Sequence, residues 1–200
     1  MTPVTTGRVD LSGFRAAGFD RGAGPIKEAF WLVVRLLLFQ LCPFSLSAFK
    51  CAVLRAFGAS VGHGVVMKPQ VKITFPWKLA LGDHVWVGEE CWLLNLERIV
   101  IGNNACISQR AFLCTGSHSY KVSTFDLIAK PITIGDGAWL GAGCWVGPGV
   151  TVGTHAVLGA VSVATKDLEP WGIYLGNPAV LAKKRVLSDG ETPEPPASGP

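Results

Sequence analysis

The stretch PITIGDGAWLGAGCWVGPGVTVG, residues 131–153, repeats an aliphatic residue at every sixth position. Ile134, Leu140, Val146 and Val152 are each followed by glycine, and a small residue stands four positions after three of them. The same six-residue unit recurs over residues 61–165. A fixed short period of this kind is typical of a solenoid, in which each repeat stacks on its neighbours. The pattern therefore predicts an all-β solenoid, a parallel β-helix with three units in each triangular coil.

Counting the units predicts about five coils of 18 residues and one large interruption. The predicted inward residues are Val61, Met67 and Ile73; Leu81, Val87 and Leu93; Ile101, Ile107 and Leu113; Ile134, Leu140 and Val146; and Val152, Leu158 and Ala164. Relative to the six-residue spacing, the chain has two surplus residues before Leu81 and two before Ile101. It has a surplus of fifteen residues between Leu113 and Ile134. We predict an excursion loop over residues 114–131, and long insertions in compact domains are usually functional. A tolerated surface insertion is the alternative.

The remaining segments predict an N-terminal arm with hydrophobic helices over residues 1–60, a repeat domain over 61–187 and a tail. Residues 29–42, AFWLVVRLLLFQLC, are too short to span a bilayer comfortably and precede Pro43. We expect this helix to dock on the repeat domain or a neighbouring subunit, with peripheral contact to a membrane surface as the alternative. A second helix is predicted over residues 46–57, and a short helical extension is expected to close the repeat domain. The Pro- and acid-rich residues 188–200 are expected to be disordered.

Composition favours a cytoplasmic protein over a nucleic-acid-binding or secreted one. The formal charge is +4, and no basic stripe runs along the repeats. The six cysteines include no C-x-x-C pair, and four lie where the repeat favours a small apolar side chain, so we expect buried reduced thiols. The polar, Gly-rich residues 1–24 do not have the composition of a signal peptide.

Of the four histidines, His118 is the predicted catalytic residue. It stands where the chain leaves the repeat wall, and a histidine near neutral pKa is the usual general base for a hydroxyl group. His63, His84 and His155 fall beside repeat corners and are expected to be ordinary surface residues. No metal is expected, because zinc needs three converging ligands and the sequence offers His118 a single partner at best, His84.

Several polar residues near the interruption are candidates for acceptor binding. Asn95 interrupts its wall one coil before His118, so its amide is predicted either to bind a sugar hydroxyl or to stack inside the solenoid. Glu97 or Glu90 is a candidate to assist it. Asp126, within the excursion, is predicted to orient His118 or to contact the substrate.

Together, these motifs resemble the hexapeptide-repeat O-acetyltransferases of the left-handed β-helix superfamily over residues 61–187. The phrases that carry the resemblance are TGSHSY, PITIGDGAWLGAGCWVGPGVTVG, VLGAVSVATKD and GNPAV. FPWKLALGDHVWVGE and LLNLERIVIGNNACISQRAFLCTGSH resemble the branch that serves colanic-acid and exopolysaccharide biosynthesis. The resemblance implies a homotrimer with acetyl-CoA in the groove between neighbours and His118 as general base.

The resemblance further implies direct transfer, in a ternary complex, to a sugar hydroxyl of an exopolysaccharide precursor. Alternatives are a small acceptor such as serine or a simple glycoside, and a scaffold without catalysis. Residues matching the coenzyme A contacts are Gly141, Ala142, Gly159, Ala160, Thr165, Lys166 and Lys183, and a backbone N–H near Gly141 or Ala142 would stabilise the oxyanion. The chain departs from the family pattern at Val161, Ser119 and Val180, where relatives often carry a glycine, an acid and a basic residue.

Overall fold

The structure, a computed structural model, describes residues 7–16 and 18–188 and contains a left-handed parallel β-helix. The first face consists of β1 (Ser60–Val61), β4 (Leu79–Leu81), β7 (Ile99–Ile101), β12 (Ile132–Ile134) and β15 (Thr151–Val152). The second consists of β2 (Val66–Met67), β5 (Trp86–Val87), β8 (Cys106–Ile107), β13 (Trp139–Leu140), β16 (Val157–Leu158) and β18 (Gly172–Leu175). The third consists of β3 (Lys72–Ile73), β6 (Trp92–Leu94), β9 (Phe112–Cys114), β14 (Trp145–Val146) and β17 (Val163–Ala164).

The strand register confirms the predicted inward residues. Val61 is in register with Leu81, Leu81 with Ile101, and the same column continues through β12 and β15. The second and third faces align their predicted inward residues in the same way. All of them are buried except Val61, which is half-buried at the end of the prism. Stacked aliphatic columns therefore form the core, and their burial is the main stabilising contribution.

The C-terminal end of the prism differs from the prediction. Leu168 bridges to Val152 and β18 pairs in parallel with β16, so a sixth, partial coil follows the five predicted ones. The predicted helical extension is wrong: β19 (Val180–Lys184) turns back antiparallel on β18. The turn between the two strands contains Gly176 at φ 95°, a conformation that glycine adopts without strain. Of the tail, only Ser188 lies among the described residues.

Two helical segments cover the N-terminal end of the prism. Helix α1 (Pro25–Val34) continues as a π-helical segment (Arg35–Leu41), and α2 (Ser47–Ala56) follows. The first begins four residues earlier than predicted because Pro25 suits a first helical turn. Trp31 anchors it, since its indole Nε1 donates to the carbonyls of Ile73 and Thr74 at 3.2 and 3.0 Å. This segment therefore packs on the repeat domain. Among the described residues, no helix has both the length and the apolar composition that a membrane span requires.

Candidate active site

The interruption is an ordered β-hairpin rather than an irregular loop. Strands β10 (Gly116–His118) and β11 (Leu127–Ala129) pair antiparallel, with His118 opposite Leu127. The hairpin leaves the prism after β9 and returns at β12, so it projects from the edge between the third and first faces. We call this the His118 edge. The regular hairpin holds the catalytic candidate more firmly than a long loop would, because its backbone donors and acceptors are paired.

The hairpin fixes both the orientation and the tautomer of the His118 ring. Its Nδ1 lies 2.9 Å from the carbonyl oxygen of Phe125, which can only accept a hydrogen bond. Nδ1 therefore carries the proton, and Nε2 keeps the free lone pair that a general base requires. The ring stacks on Phe125 with centroids 4.6 Å apart and lies 5.9 Å from the ring of Phe14.

Asp126 does not orient His118 through Nδ1, because Phe125 provides that acceptor. The backbone carbonyl of Asp126 instead accepts the N–H of Ser119 at 2.8 Å and closes the hairpin. Its carboxylate oxygen Oδ1 is buried and has no hydrogen-bond partner among the described residues. A buried unpaired carboxylate oxygen is costly, so this atom remains a candidate to accept a hydrogen bond from a ligand.

Asn95 has a structural position in this fold. Its side chain is fully buried; Oδ1 accepts the backbone N–H groups of Thr74 and Phe75 at 3.0 and 2.9 Å, and Nδ2 donates to the carbonyl of Phe75. The amide thus satisfies the backbone of the preceding coil where the chain departs from the regular repeat. It offers no free surface to a sugar, and the alternative of an amide stacked inside the solenoid fits these contacts.

Glu97 lines a cleft beside the hairpin. A cavity of about 360 Å³ lies between Glu97, the N-terminal segment 18–20 and residues 127–130 of the hairpin. Two backbone hydrogen bonds lie at the two ends of the paired hairpin strands, from the Ser119 N–H to the Asp126 carbonyl and from the Lys130 N–H to the Thr115 carbonyl. By the alternation of an antiparallel ladder, the N–H and C=O groups of residues 127 and 129 point away from β10, toward the free edge. The residues that line the cleft include the acids Asp20 and Glu97, the base Lys130 and the aromatic Phe19.

The N-terminal arm forms the outer wall of this cleft. The N–H of Asp10 donates to the carbonyl of Ser123 at 2.8 Å on the hairpin. Farther along, the indole of Trp77 donates to the carbonyl of Arg21 at 2.6 Å, and Lys78 donates to the carbonyls of Asp20 and Leu96. The arm is thus attached both to the excursion and to the prism wall. The sequence did not predict that the arm packs against the hairpin and the prism wall. The aromatic residues Phe14 and Phe19, in an otherwise Gly-rich arm, were the sequence feature that could have indicated this packing.

Glu90 lies away from the His118 edge. It pairs with Arg110 at 2.9 Å, and this guanidinium lowers the pKa of the Glu90 carboxyl group. The pair borders a second depression, of about 390 Å³, that also touches Ala142 and Gly143. Glu90 is therefore placed beside the predicted coenzyme A residues rather than beside Asn95.

The edge between the second and third faces carries free backbone donors in several coils, including those of Ala142 and Ala160, and we call it the alanine edge. Gly141 and Gly159 donate their N–H groups to the carbonyls of Leu158 and Tyr174, at 2.7 and 2.8 Å. The next N–H groups, of Ala142 and Ala160, donate to no acceptor among the described residues. At the edge between the first and second faces, three equivalent donors are satisfied by side chains: the backbone N–H groups of His63, Asp83 and Asn103 donate to Oδ1 of Asp83, Asn103 and Asp136.

The N–H groups of Ala142 and Ala160 are thus open to a ligand. Of the two predicted oxyanion donors, Ala142 is available and Gly141 is not, because Gly141 is engaged in the ladder. A side chain at Gly141 would also place Cβ 2.5 Å from the nitrogen of Ala160. Val161 is 76% exposed on this edge, and its side chain approaches Gly143 of the preceding coil.

The remaining coenzyme A candidates are distributed over the surface. Thr165 and Lys166 are exposed at the end of β17, on the His118 edge two coils beyond the hairpin. Lys183 is exposed on β19, opposite Ile173. One chain therefore places Ala142 and Ala160 on one edge and His118, Thr165 and Lys166 on another.

Three buried cysteines, Cys91, Cys114 and Cys144, are poor candidates for a nucleophile. Burial raises the pKa of the Cys91 and Cys144 thiols to about 12, and it also raises that of Cys114. Thiols of this kind are poor nucleophiles at neutral pH. His155 packs against the ring of Trp171. No group of three His, Cys, Asp or Glu side chains within residues 7–16 and 18–188 is arranged to hold a metal ion.

Solved structures with this architecture define the class of enzyme. The hexapeptide-repeat acetyltransferase VCA0836 of Vibrio cholerae O1 biovar eltor, solved with acetyl coenzyme A, superposes with a TM-score of 0.73 at 26% identity, covering 84% of this chain and 93% of that one. A maltose O-acetyltransferase from Clostridium difficile 630 gives 0.68 at 25% identity, with coverages of 80% and 87%. The protein is a hexapeptide-repeat acyltransferase that uses acetyl-CoA.

A closer relative defines the family. The chain is 44% identical over 180 residues to the provisionally named colanic acid biosynthesis acetyltransferase WcaF of Escherichia coli (strain K12). The match covers 90% of this chain and 99% of the relative, so the chain belongs to the WcaF family of acetyltransferases. A more distant relative, a provisionally named acetyltransferase of Schizosaccharomyces pombe (strain 972 / ATCC 24843), is 32% identical over 121 residues, 59% of this chain and 58% of its own length. No protein-family model matches.

Proposed function

We propose that this enzyme transfers the acetyl group of acetyl-CoA to a sugar hydroxyl of an exopolysaccharide precursor, with His118 as general base. The observation that carries the proposal is the 2.9 Å contact of His118 Nδ1 with the carbonyl of Phe125, which in the neutral ring leaves the lone pair of Nε2 free. The adjoining cleft supports a hydroxyl-rich acceptor, because Asp20 and Glu97 border it together with the Phe19 ring. The name of the WcaF relative supports an acceptor from polysaccharide biosynthesis.

The proposed chemistry is one direct transfer within a ternary complex. Nε2 of His118 takes the proton of the acceptor hydroxyl as its oxygen forms a bond to the thioester carbonyl carbon. The carbon–sulfur bond then breaks, and the proton passes from His118 to the departing thiolate. The N–H of Ala142 is the proposed donor to the developing oxyanion, a contribution of ~3 kcal/mol. The raised pKa of the Cys114 and Cys144 thiols supports transfer without a cysteine intermediate.

The proposed site requires a neighbouring subunit. His118 and Ala142 lie on different edges of the same prism, so no single groove of one chain joins them. A homotrimer would bring the His118 edge of one copy beside the alanine edge of the next, because a closed ring uses one heterologous contact repeatedly. Acetyl-CoA would lie in that groove, with Thr165, Lys166 and Lys183 as candidates to bind its phosphates. The exposed residues Trp86 and Trp139 on the second face support burial against such a neighbour.

The enzyme is further proposed to act in the cytoplasm. All six cysteines lie in the described part of the chain and none forms a disulfide. Free thiols, most of them buried, fit a reducing compartment. Acetyl-CoA, as the co-substrate, supports the same location.

An acceptor panel tests the proposed substrate class. Release of free thiol from acetyl-CoA would be followed with nucleotide-linked sugars, lipid-linked sugars, a simple glycoside and serine. The proposal predicts the highest kcat/KM for a linked sugar, and initial-rate patterns that intersect, as expected of a ternary complex. Equal turnover with serine or a simple glycoside would favour the small-acceptor alternative. A protein that binds coenzyme A but acetylates none of these compounds would contradict the assignment of the acceptor.

A further inference from the structure

The helical end of the prism exposes a large apolar patch. Ten exposed apolar residues within residues 26–49 form it: Ile26, Phe30, Leu32, Val33, Leu36, Leu37, Leu41, Phe44, Leu46 and Phe49. Water-soluble monomers rarely leave so many large apolar side chains together in solvent. We call this group the helical patch.

The patch lies on a helix that presents apolar residues on more than one side. One side of the segment, Trp31 and Phe39, is buried against the first coil. Ile26, Phe30, Val33 and Leu37 recur at intervals of three or four residues on another side, and Ile26 is 86% exposed. A helix that exposes apolar residues on a second side needs a second apolar environment besides the core of its own domain.

The segment that carries the patch is basic, although one of its cations, Lys50, is fully buried. Residues 25–82 contain seven basic residues and one acid: Lys27, Arg35, Lys50, Arg55, Lys68, Lys72 and Lys78 against Glu28. This part therefore carries a formal +6, and since the whole chain carries +4, everything else carries −2. Glu28 is itself bound to Arg21, which lowers the pKa of its carboxyl group and keeps it ionised as a partner of that guanidinium.

An apolar cavity opens at the same end of the molecule. It has a volume of about 690 Å³ between the start of α1 and the end of α2. Pro25, Ile26, Phe30 and Phe57 line it, and Lys27 stands at its wall. The cavity extends the helical patch and provides space for a flexible hydrocarbon group beside a cation.

We propose that the helical end binds peripherally to the surface of an anionic lipid bilayer. The apolar residues of the patch would enter the boundary between headgroups and acyl chains, while Lys27, Arg55, Lys68 and Lys72 face the anionic headgroups. A second copy of this chain fits less well, because a self-contact through this end would bring two strongly cationic surfaces together. The inference goes beyond acetyl transfer and does not depend on which acceptor is used.

Vesicle flotation of the full chain tests this proposal. The purified protein would be mixed with phosphatidylcholine vesicles or with vesicles containing phosphatidylglycerol as well, at low and high salt. The double variant Phe30→Ser/Leu37→Ser removes two exposed patch residues, and Val186→Ser/Leu187→Ser is the matched control at exposed residues elsewhere. A third variant, Lys68→Gln/Lys72→Gln, removes two cations. Thermal melting establishes that each variant folds, and thiol release from acetyl-CoA is measured without vesicles.

The expected result is binding to the anionic vesicles, weakened by salt and by Lys68→Gln/Lys72→Gln. The patch variant should bind the vesicles at least about tenfold more weakly, because each large apolar side chain that enters an apolar phase contributes favourably to the free energy of binding. The control should bind like the wild type, and acetyl transfer in solution should be equal for all folded variants. Absence of vesicle binding by the wild type overturns the proposal. So does a patch variant that binds vesicles normally but changes the oligomeric state, since the patch would then join copies of the chain.

Discussion

Replacing Asn95 by leucine should destabilise the prism rather than weaken acceptor binding. The Oδ1 atom of Asn95 accepts hydrogen bonds from two buried backbone N–H groups, those of Thr74 and Phe75. A leucine side chain has no acceptor for either of them. Water does not reach this site, because the side chain is fully buried. The substitution therefore strands two donors that have no alternative partner in the fold.

The size of the effect follows from those two donors. A buried donor left unpaired costs about 1–3 kcal/mol, so Asn95→Leu should lower the free energy of unfolding by about 2–6 kcal/mol. For a chain of this length, each kcal/mol lowers Tm by about 2–4 °C, so the melting temperature should fall by at least about 4 °C. Asn103→Ala is the matched control, because Asn103 is exposed and accepts one hydrogen bond, from the N–H of Asp83. The free energy of unfolding of Asn103→Ala should fall by less than about 1.5 kcal/mol.

Thermal and urea unfolding of both variants, followed by circular dichroism, measure these differences. Acetyl transfer would be assayed well below the lowered Tm, where the Asn95→Leu protein is still folded. We expect KM for the acceptor to be close to the wild-type value under those conditions. A variant that melts like the wild type but shows a strongly raised acceptor KM would refute the structural role and restore the sugar-binding interpretation.

Three further outcomes are expected. Phe14→Ala removes the ring beside His118 and should lower kcat/KM by about two- to tenfold, which is the rate factor that corresponds to the usual interaction energy of an aromatic pair. Unchanged kinetics would show that the arm does not support the site. Alkylation at pH 8 followed by mass spectrometry should leave Cys91 and Cys144 unmodified until the protein unfolds, because their pKa of about 12 keeps them protonated; rapid labelling in the folded protein would contradict this. Gly141→Val should strongly weaken coenzyme A binding or destabilise the fold, since Cβ would lie 2.5 Å from the nitrogen of Ala160; calorimetric titration with coenzyme A and a melting curve that both match the wild type would exclude a close contact there.

The regular part of this molecule was predictable because its period is itself a structural constraint. An aliphatic residue every six positions determines which side chain stacks on which, so the column from Leu81 to Ile134 follows from counting. The position of His118 at the interruption follows in the same way. These predictions needed only local spacing and no knowledge of distant contacts.

The features that the sequence did not reveal depend on contacts between distant residues. The arm is ordered by hydrogen bonds such as those from Asp10 to Ser123 and from Trp77 to Arg21, which join positions far apart in the chain without a periodic signal. The interaction of His118 with Phe125 depends on the hairpin register. The C-terminal hairpin was mistaken for a helix because β19, VLAKK, lacks the alternation of a half-buried strand and is exposed along its length.

The role of His118 is tested most directly by the turnover of His118→Ala with the best acceptor from the panel. General-base catalysis contributes about 10²–10⁴-fold, so kcat should fall by that factor. Binding of acetyl-CoA, measured by calorimetry, should stay close to the wild-type value, because the proposed coenzyme contacts lie on other residues. Acceptor-dependent turnover by His118→Ala at the wild-type rate would contradict the proposal that the interruption of the repeat holds the catalytic base.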